Sequence, residues 1–469
     1  MNVLPSPLHL IGRARDAIDV FAIGRVFSMA LSPTETGFSP KDYDVDPHTG
    51  FFPPEPLPAL PSRFSIWENS LKEAQEVLFL SENKSERALA KQTVGEQWRA
   101  GVRSWPVLDT SVLNDNIRYL QKAHMVLAFI LHFYAHSIPV KEGESIRIPR
   151  SIAVPLVAVS YELGIAPVLT FADTVLWNWE LIDASKPLEV ENIRYVNLLS
   201  GSETERAFYT VSAAVELKGV EMLQMIESFM NLPNVTDSTS TVKINRDLVQ
   251  LKVVVDELTD IFNSVRDSVD PTEFYWKCRP WWTGGSSATP NGQPKWIFEG
   301  VPDYAKLDLA GPSAGQSTVM HALDVFLDVD HKLQHHHRTP APSDNNKKAD
   351  TGFMERMRRY MPGPHRVYLQ RIGAVSCSVR ECARITPSLK EPYNAVVAAL
   401  KRLRDFHIRI ACIYVITKTN STPPPDCGID LDQGKPSEDY GRGTGGNHVS
   451  SLLKAGRDAT HRTILAPDA

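Results

Sequence analysis

Helical spacing of apolar residues constrains the fold of this chain more than any other feature. The clearest case covers residues 393–417, in which apolar side chains recur three and four positions apart and therefore share one helix face. The residues on that face are Val396, Leu400, Leu403, His407, Ile410 and Tyr414. The same spacing predicts helices within residues 64–135, 206–232 and 244–269, whereas the period-two alternation of a strand is scarce. We therefore predict a mainly α-helical fold.

Three other segments refine this prediction. Residues 186–200 fit short strands. Ser313 and Gln316 have the spacing of a capping box ahead of an apolar run, which predicts that a helix begins at Ser313. Residues 419–446 form a long Pro- and Gly-rich loop that ends in Gly-Thr-Gly-Gly. Such long loops are commonly functional lids or disordered, and the glycines favour a lid because they permit hinge dihedrals.

Charge and cysteine content exclude several classes of function. The chain has 50 Lys and Arg against 55 Asp and Glu, which argues against a nucleic-acid partner. Its five cysteines include no Cys-x-x-Cys pair, which argues against a disulfide scaffold, a zinc ribbon and an iron–sulfur cluster. No segment has the roughly 18 consecutive apolar residues of a membrane span. We expect a cytoplasmic protein without a membrane partner, although Arg13, Arg15 and Arg25 keep a mitochondrial presequence open against Asp16 and Asp19.

The common catalytic motifs identify no convincing active site in this sequence. The sequence has no GxGxxG, P-loop or HExxH motif, and the Gly-x-Ser-x-Gly match at residues 311–315 lacks the preceding strand of a nucleophile elbow. The histidines at 331 and 335–337 fit either a metal site or a solvated low-complexity loop, and the polar residues that follow favour the loop. His365 follows a Pro/Gly turn and fits a surface, capping or ligand residue.

His407 differs from these because it interrupts the apolar face of the helix at 393–417. Such a histidine is either a hydrogen-bonded core residue or a ligand of a buried cofactor. Arg404 lies one turn earlier, and a buried guanidinium needs an anion. A haem would supply iron for the imidazole and propionates for the arginine. A core histidine, and with it a helical scaffold without a cofactor, stays open at this point.

Several blocks of sequence resemble the indoleamine 2,3-dioxygenase family. Residues 404–410, Arg-Asp-Phe-His-Ile-Arg-Ile, resemble the helix that carries the family's proximal haem ligand. Other matching blocks occur in the same order at residues 152–155, 171–176, 208–212, 274–275 with Arg279, 313–317, 357–362 and 443–446. The resemblance covers residues 43–465 and leaves about the first forty outside it.

The resemblance implies a two-domain, all-α haem protein. We expect an N-terminal extension at residues 1–40, a small helical domain at 41–200 and a large haem-binding domain at 201–469. The cofactor would be haem b with one iron per chain, in a monomer. The implied reaction opens the indole ring of L-tryptophan with O₂ to give N-formylkynurenine, the first step of the kynurenine pathway, and an external reductant keeps the iron ferrous.

The resemblance also assigns the cofactor residues. His407 would be the proximal iron ligand, and Ser313 would lie at the cofactor as well as cap its own turn. Arg404 would pair with a haem propionate and with Asp324. This assignment agrees with the expectation that a buried Arg404 guanidinium needs an anionic partner.

On the substrate side the family pattern assigns seven residues: Phe208, Ser212, Phe274, Arg279, Ser313, Ala314 and Thr444. The two phenylalanines would stack on the indole, and Arg279 would bind the carboxylate through its bidentate fork. Ser212 would touch O₂ or the indole N–H, and Thr444 would close over the amino acid. Ser212, Phe274 and Arg279 are the catalytic candidates.

Three residues depart from the family pattern: Phe171 replaces a common Tyr, Tyr275 a common Phe, and Pro312 a Gly. They keep open a dioxygenase for a modified indole in secondary metabolism. A haem protein of the same fold that binds O₂ without turnover is a further alternative. The presence of Phe274 and Arg279 favours the enzyme.

Overall fold

The computed structural model describes residues 37–140, 144–285, 294–331, 352–428, 443–444 and 448–466. Within these ranges the fold is built from α-helices, as the apolar spacing predicts. The described α-helices of six or more residues are α1 Ser65–Val77, α2 Glu86–Ser104, α3 Ile117–His136, α4 Arg150–Leu163, α5 Glu203–Met230, α6 Ser238–Ser268, α7 Thr318–Phe326, α8 Phe353–Arg358, α9 Gly363–Gly373, α10 Val379–Ile385, α11 Pro387–Ala411 and α12 Val449–Thr463.

Strands are short in the described chain, and one pair joins segments that are distant in sequence. Strand β1 (Ile146–Ile148) pairs in parallel with β4 (Trp296–Phe298). Strand β2 (Trp179–Leu181) pairs antiparallel with β3 (Ile193–Tyr195). The prediction of a strand within residues 186–200 is therefore confirmed by β3. No described helix combines the length and the apolarity needed to cross a membrane.

The N-terminal helices pack around α3, which contacts α1 and α4. Every residue of α3 from Ala123 to Ala135 is buried, as expected for a helix that is apolar all round. Its buried histidines are hydrogen-bonded: His124 Nδ1 lies 2.7 Å from an Asp173 oxygen. One continuous hydrophobic cluster runs from Phe38 to Leu465. The division of the chain at residue 200 stays a prediction.

The C-terminal helices form the other half of the fold. Helix α11 packs against α6 and α12, and α5 packs against α6 and α7. The apolar face predicted for residues 393–417 is buried at Val396, Leu400 and Leu403. The helix itself begins earlier, at Pro387, and ends at Ala411, where it continues as the π-helical turn Cys412–Ile416.

The prediction that a helix begins at Ser313 is wrong. Ser313 caps only the 3₁₀ turn Ala314–Gln316, and α7 begins at Thr318 with Ser317 as its N-cap. The Gln316 amide cannot complete a capping box because it is used elsewhere. Its Oε1 accepts from the Phe171 N–H at 2.9 Å, and its Nε2 donates to the Gly311 carbonyl at 2.9 Å.

Helices α5 and α7 approach most closely at Gly219. A Cβ at this position would lie 2.5 Å from Cγ1 of Val319 and 2.9 Å from its Cγ2. Valine is stiff at χ1, so neither methyl can turn away cheaply. We predict that Gly219→Ala lowers the free energy of unfolding by about 1–3 kcal/mol through overpacking.

Urea denaturation would measure this change, and Gly101→Ala is the matched control. Gly101 lies inside α2, and a Cβ added there would have no neighbouring atom within 4 Å. At this position the alanine should stabilise the fold by up to about 1 kcal/mol through helix propensity. Equal effects at the two positions would contradict the close contact between α5 and α7.

Candidate active site

A large cavity lies between α5, α6, α7, α11 and α12. Its volume is about 320 Å³ and its lining is mostly apolar, within the size range of small-molecule and cofactor sites. Of the predicted site residues, eight line it: Phe208, Ser212, Phe274, Ser313, Ala314, Asp324, Arg404 and His407. Residues about 200 positions apart in sequence therefore meet at one site.

His407 reaches the cavity from the last turn of α11. Its ring lies 5.7 Å from the ring of Phe262 on α6, at an interplanar angle of 36°. Burial lowers the pKa of His407 to about 4, and the charge of Arg404 adds to the effect. The imidazole is therefore neutral at neutral pH, which is the form that ligates a metal. Within the described chain it receives and donates no hydrogen bond, so its ring nitrogens are available to a cavity ligand.

Arg404 connects three helices around the cavity. One nitrogen, Nη2, donates to both carboxylate oxygens of Asp324 on α7, at 2.5 and 2.6 Å. Nη1 donates to the Gly456 carbonyl at 2.9 Å and to the Thr460 hydroxyl, both on α12. The anion that this buried arginine requires is thus supplied by the protein itself. Pairing of Arg404 with a propionate stays a prediction.

His331 completes this charged group. Its Nε2 lies 2.7 Å from an Asp324 oxygen, and its ring lines the cavity. Burial opposes ionisation of Asp324, but the charges of Arg404 and His331 hold the pKa of this carboxyl well below its usual range. The interpretation of His331 as part of a solvated loop is therefore wrong. Residues 335–337 lie outside the described ranges, and the described residues contain no cluster of three metal-ligating side chains.

Two of the lining residues, Phe208 and Phe274, bring aromatic rings to the cavity. Phe208 on α5 lies 5.0 Å from Phe274 and 5.4 Å from Trp282, centroid to centroid. Ser212 follows one helical turn after Phe208, and its hydroxyl donates to the Phe208 carbonyl at 2.9 Å. This bond orients the Ser212 hydroxyl along its own helix. The hydroxyl oxygen can still accept a hydrogen bond from a ligand in the cavity.

A short turn at residues 311–316 closes one side of the cavity. The Ser313 hydroxyl accepts from the Gly315 N–H at 3.2 Å, and the Gly315 carbonyl lies 2.9 Å from Nε2 of the buried His321. Thr444 joins the turn from the C-terminal segment: its hydroxyl donates to the Pro312 carbonyl at 2.5 Å, and its own carbonyl accepts from Gly311. Thr444 of the predicted Gly-Thr-Gly-Gly run is therefore bonded to this turn, whereas residues 429–442 and 445–446 of the predicted lid lie outside the described residues.

Arg279 and Thr444 are the two predicted site residues absent from the described cavity lining. Thr444 is adjacent to Gly443, which does line the cavity. The Arg279 guanidinium lies over the Tyr275 ring, 5.1 Å from its centroid. Tyr275 is half-buried, and it contacts Arg279 from the same irregular helical segment.

Glu216 is a cavity residue that the sequence analysis missed. It lies on α5 four residues after Ser212, so the helical spacing could have identified it. The side chain is 1% exposed, and its Oε1 accepts from the Ser317 hydroxyl at 2.5 Å. Its Oε2 has no hydrogen-bond partner in the described chain. Burial raises the pKa of Glu216 to about 7, against the smaller opposing effect of Ser317.

His365, left open between a surface, capping and ligand residue, lies in the core. It is 1% exposed and its ring centroid lies 4.7 Å from that of Phe51. Burial lowers its pKa to about 4. It is absent from the described lining of the cavity, where the histidines are His331 and His407. Because His331 Nε2 already contacts Asp324, His407 is the one of these two that is better placed to bind a cofactor.

Comparison with known proteins extends over nearly the whole described chain. The family model described as indoleamine 2,3-dioxygenase matches residues 39–463, a range that contains every cavity residue named above. Indoleamine 2,3-dioxygenase 1 of Mus musculus is 30% identical, covering 93% of this chain and 98% of the relative. The Saccharomyces cerevisiae indoleamine 2,3-dioxygenase is 28% identical, with 90% and 92% covered. A 6-hydroxytryptophan 2,3-dioxygenase of Fusarium equiseti is 27% identical, with 90% and 97% covered.

The raised pKa of Glu216 predicts a pH-dependent loss of stability. Between about pH 4.5 and pH 7 the unfolded chain ionises this carboxyl while the folded chain keeps it protonated, so folding becomes less favourable as pH rises. Glu216→Gln keeps the shape and removes the ionisation. Relative to the unsubstituted protein, the variant should gain on the order of 3 kcal/mol between pH 4.5 and pH 8.

Urea denaturation at the two pH values measures this gain. Glu203→Gln is the control, because Glu203 lies on the same helix with its side chain 83% exposed. The effect of Glu203→Gln should change between the two pH values far less than that of Glu216→Gln. If the stability gained by Glu216→Gln does not grow with pH, the pKa of the buried Glu216 carboxyl is not raised in the folded protein.

Proposed function

The chain belongs to the indoleamine 2,3-dioxygenase family, and from this premise we propose that it binds haem b and opens the indole ring of L-tryptophan with O₂ to give N-formylkynurenine. Dioxygenase activity follows from the family. The choice of tryptophan and the place in the kynurenine pathway are the proposal. One observation carries it: a neutral imidazole from α11, without a hydrogen-bond partner among the described residues, lines a mostly apolar cavity whose lining also includes the rings of Phe208 and Phe274.

The residues of the cavity fit a haem. The apolar lining suits a flat macrocycle, and His407 offers a free ring nitrogen as the iron ligand. The Ser313 hydroxyl and the Arg404 guanidinium would offer hydrogen-bond donors to the propionates. Haem, kept ferrous by an external reductant, would supply the redox chemistry that activates O₂.

The remaining residues would bind and orient the substrate. Phe208 and Phe274 offer aromatic faces to an indole ring, at ring distances typical of offset stacking. The Ser212 oxygen would accept from the indole N–H. The apolar walls would exclude water from the bound substrate. The proposed reaction does not require a side chain that acts as a general base. Arg279 and Thr444 would bind the carboxylate and amino groups at the mouth of the cavity.

A modified indole is the second candidate substrate. One relative is named for 6-hydroxytryptophan, and Glu216 places a carboxyl oxygen without a described partner in the cavity wall. A carboxyl oxygen can accept from a ring hydroxyl, which tryptophan lacks. The two candidates therefore differ in the hydrogen bond that they offer to the cavity.

The proposal is tested by loading the protein with haem and adding L-tryptophan with a reductant under air. We expect a Soret band in the visible spectrum and formation of N-formylkynurenine, with one product formed per O₂ consumed. His407→Ala should lose the Soret band after gel filtration, whereas His365→Ala should keep it. Far-UV circular dichroism checks that both variants are folded.

The outcomes separate the alternatives. Haem that stays bound in His407→Ala and is lost in His365→Ala would overturn the ligand assignment. A Soret band without product from tryptophan, but with product from 6-hydroxytryptophan, would show that the substrate is the modified indole and not tryptophan. A Soret band and reversible O₂ binding without either product would indicate an O₂-binding protein without turnover.

The role of Arg279 predicts a substrate-dependent effect. Arg279→Lys loses the bidentate fork, so kcat/KM for L-tryptophan should fall about tenfold to a hundredfold. Tryptamine has the same ring without the carboxylate, and its kcat/KM should stay unchanged. Arg63→Lys is the control, because Arg63 also lies 5.1 Å over a neighbouring ring, that of Phe64, away from the cavity. An equal loss with both substrates would mean that Arg279 only supports Tyr275.

A further inference from the structure

Two cysteines lie in contact beside α10, outside the cavity. The Sγ atoms of Cys377 and Cys382 are 3.3 Å apart, and both thiols are free. Cys377 immediately precedes Ser378, the N-cap of α10, and Cys382 lies in the helix. A disulfide has an S–S distance of about 2.05 Å, so the two sulfurs need to approach by only about 1.3 Å.

The backbone around the pair is well fixed. Ser378 Oγ accepts from the Glu381 N–H at 3.2 Å, and the Ser378 carbonyl accepts from the Cys382 N–H at 2.9 Å. Helix α10 also packs against α11, and the Arg380 side chain donates to the Thr463 carbonyl at the end of α12. The sulfurs are therefore held close together by the fold, which raises the effective concentration of one thiol at the other.

The two thiols differ in access. Cys377 is half-buried, so it is the more exposed thiol of the pair. Cys382 is 1% exposed, and burial, with a smaller contribution from Cys377, raises the pKa of its thiol to about 12. Cys377 is thus placed to react first, with Cys382 behind it as the second thiol.

We propose that Cys377 and Cys382 form a dithiol site that reacts with low-molecular-weight disulfides, such as glutathione disulfide, and closes to an intramolecular disulfide. The Cys377 thiolate attacks one sulfur of glutathione disulfide, breaks its S–S bond and releases one glutathione. Cys382 then loses its proton to solvent, and its sulfur attacks Cys377 and releases the second glutathione. The two protein thiols give up two electrons and two protons, which reduce the oxidant to two thiols.

Cys278 and Cys412 lack this arrangement. Cys278 is buried, and its sulfur contacts the hydroxyls of Ser200 and Ser202 at 3.6 and 3.5 Å. Cys412 is half-buried like Cys377, but no second cysteine sulfur lies in contact with it in the described chain. Cys412 therefore serves as the comparison thiol, because it can form a mixed disulfide but cannot close one.

The test uses the full chain, reduced and then equilibrated in glutathione buffers of increasing oxidising strength. After alkylation of free thiols, trypsin cleaves behind Arg371, Arg380 and Arg384, so the pair falls on the separate peptides 372–380 and 381–384. We expect mass spectrometry to find these peptides joined, with loss of two thiols that dithiothreitol restores. In Cys382→Ser, Cys377 should stop at a mixed disulfide with glutathione. Cys412→Ser should leave the joined peptides unchanged.

A comparison with the unfolded chain tests the role of the fold. If the fold holds the sulfurs together, closure in the native protein should need a glutathione buffer about tenfold less oxidising than closure in urea. Equal requirements in the two states would overturn the proposal. So would native protein that accumulates only glutathione adducts on Cys377, as the Cys382→Ser variant does.

Discussion

The buried ion pair of Arg404 with Asp324 is the interaction on which the geometry of the cavity depends. It joins α11 to α7, and the second nitrogen of Arg404 joins α11 to α12. The two side chains are only 12% and 4% exposed, so either charge alone would be costly. Because His407 lies less than one turn beyond Arg404, the same contacts set how far the imidazole projects into the cavity. The ion pair of Arg404 with Asp324 therefore also fixes the position of His407, the candidate iron ligand.

The helical part of the fold could be predicted because apolar spacing is a local property. The face that carries Leu403 and His407 follows from positions three and four apart, and the structure buries it against α6 and the cavity. The residues at which helices begin and end were harder to predict. The capping-box spacing of Ser313 failed because Gln316 bonds to Phe171 and Gly311, and no local pattern reports such distant partners.

The candidate site was predicted in part, for related reasons. The residues carried by regular helices, such as Phe208, Ser212 and Arg404, line the cavity. Arg279 follows a π-helical turn, where spacing rules based on 3.6 residues per turn lose their register, and it lies off the described lining. His331 was misread because its partner Asp324 is fixed by tertiary packing. Glu216 lies one helical turn after Ser212, so its place on the same helix face could have been predicted from the spacing, although its burial could not.

Three π-helical turns in the described chain, Ala172–Leu176, Phe274–Cys278 and Cys412–Ile416, adjoin the cavity. Each supplies or flanks a lining residue: Phe171, Phe274 and Tyr414. A π turn holds about one more residue than an α turn, so the turn that continues α11 corresponds to a one-residue insertion in that helix. Deleting that residue would restore α geometry and rotate the side chains beyond it by roughly 100°. The cavity walls can therefore be reshaped by changes in chain length, so that homologues of different length need not share a pocket shape even where every lining residue is the same.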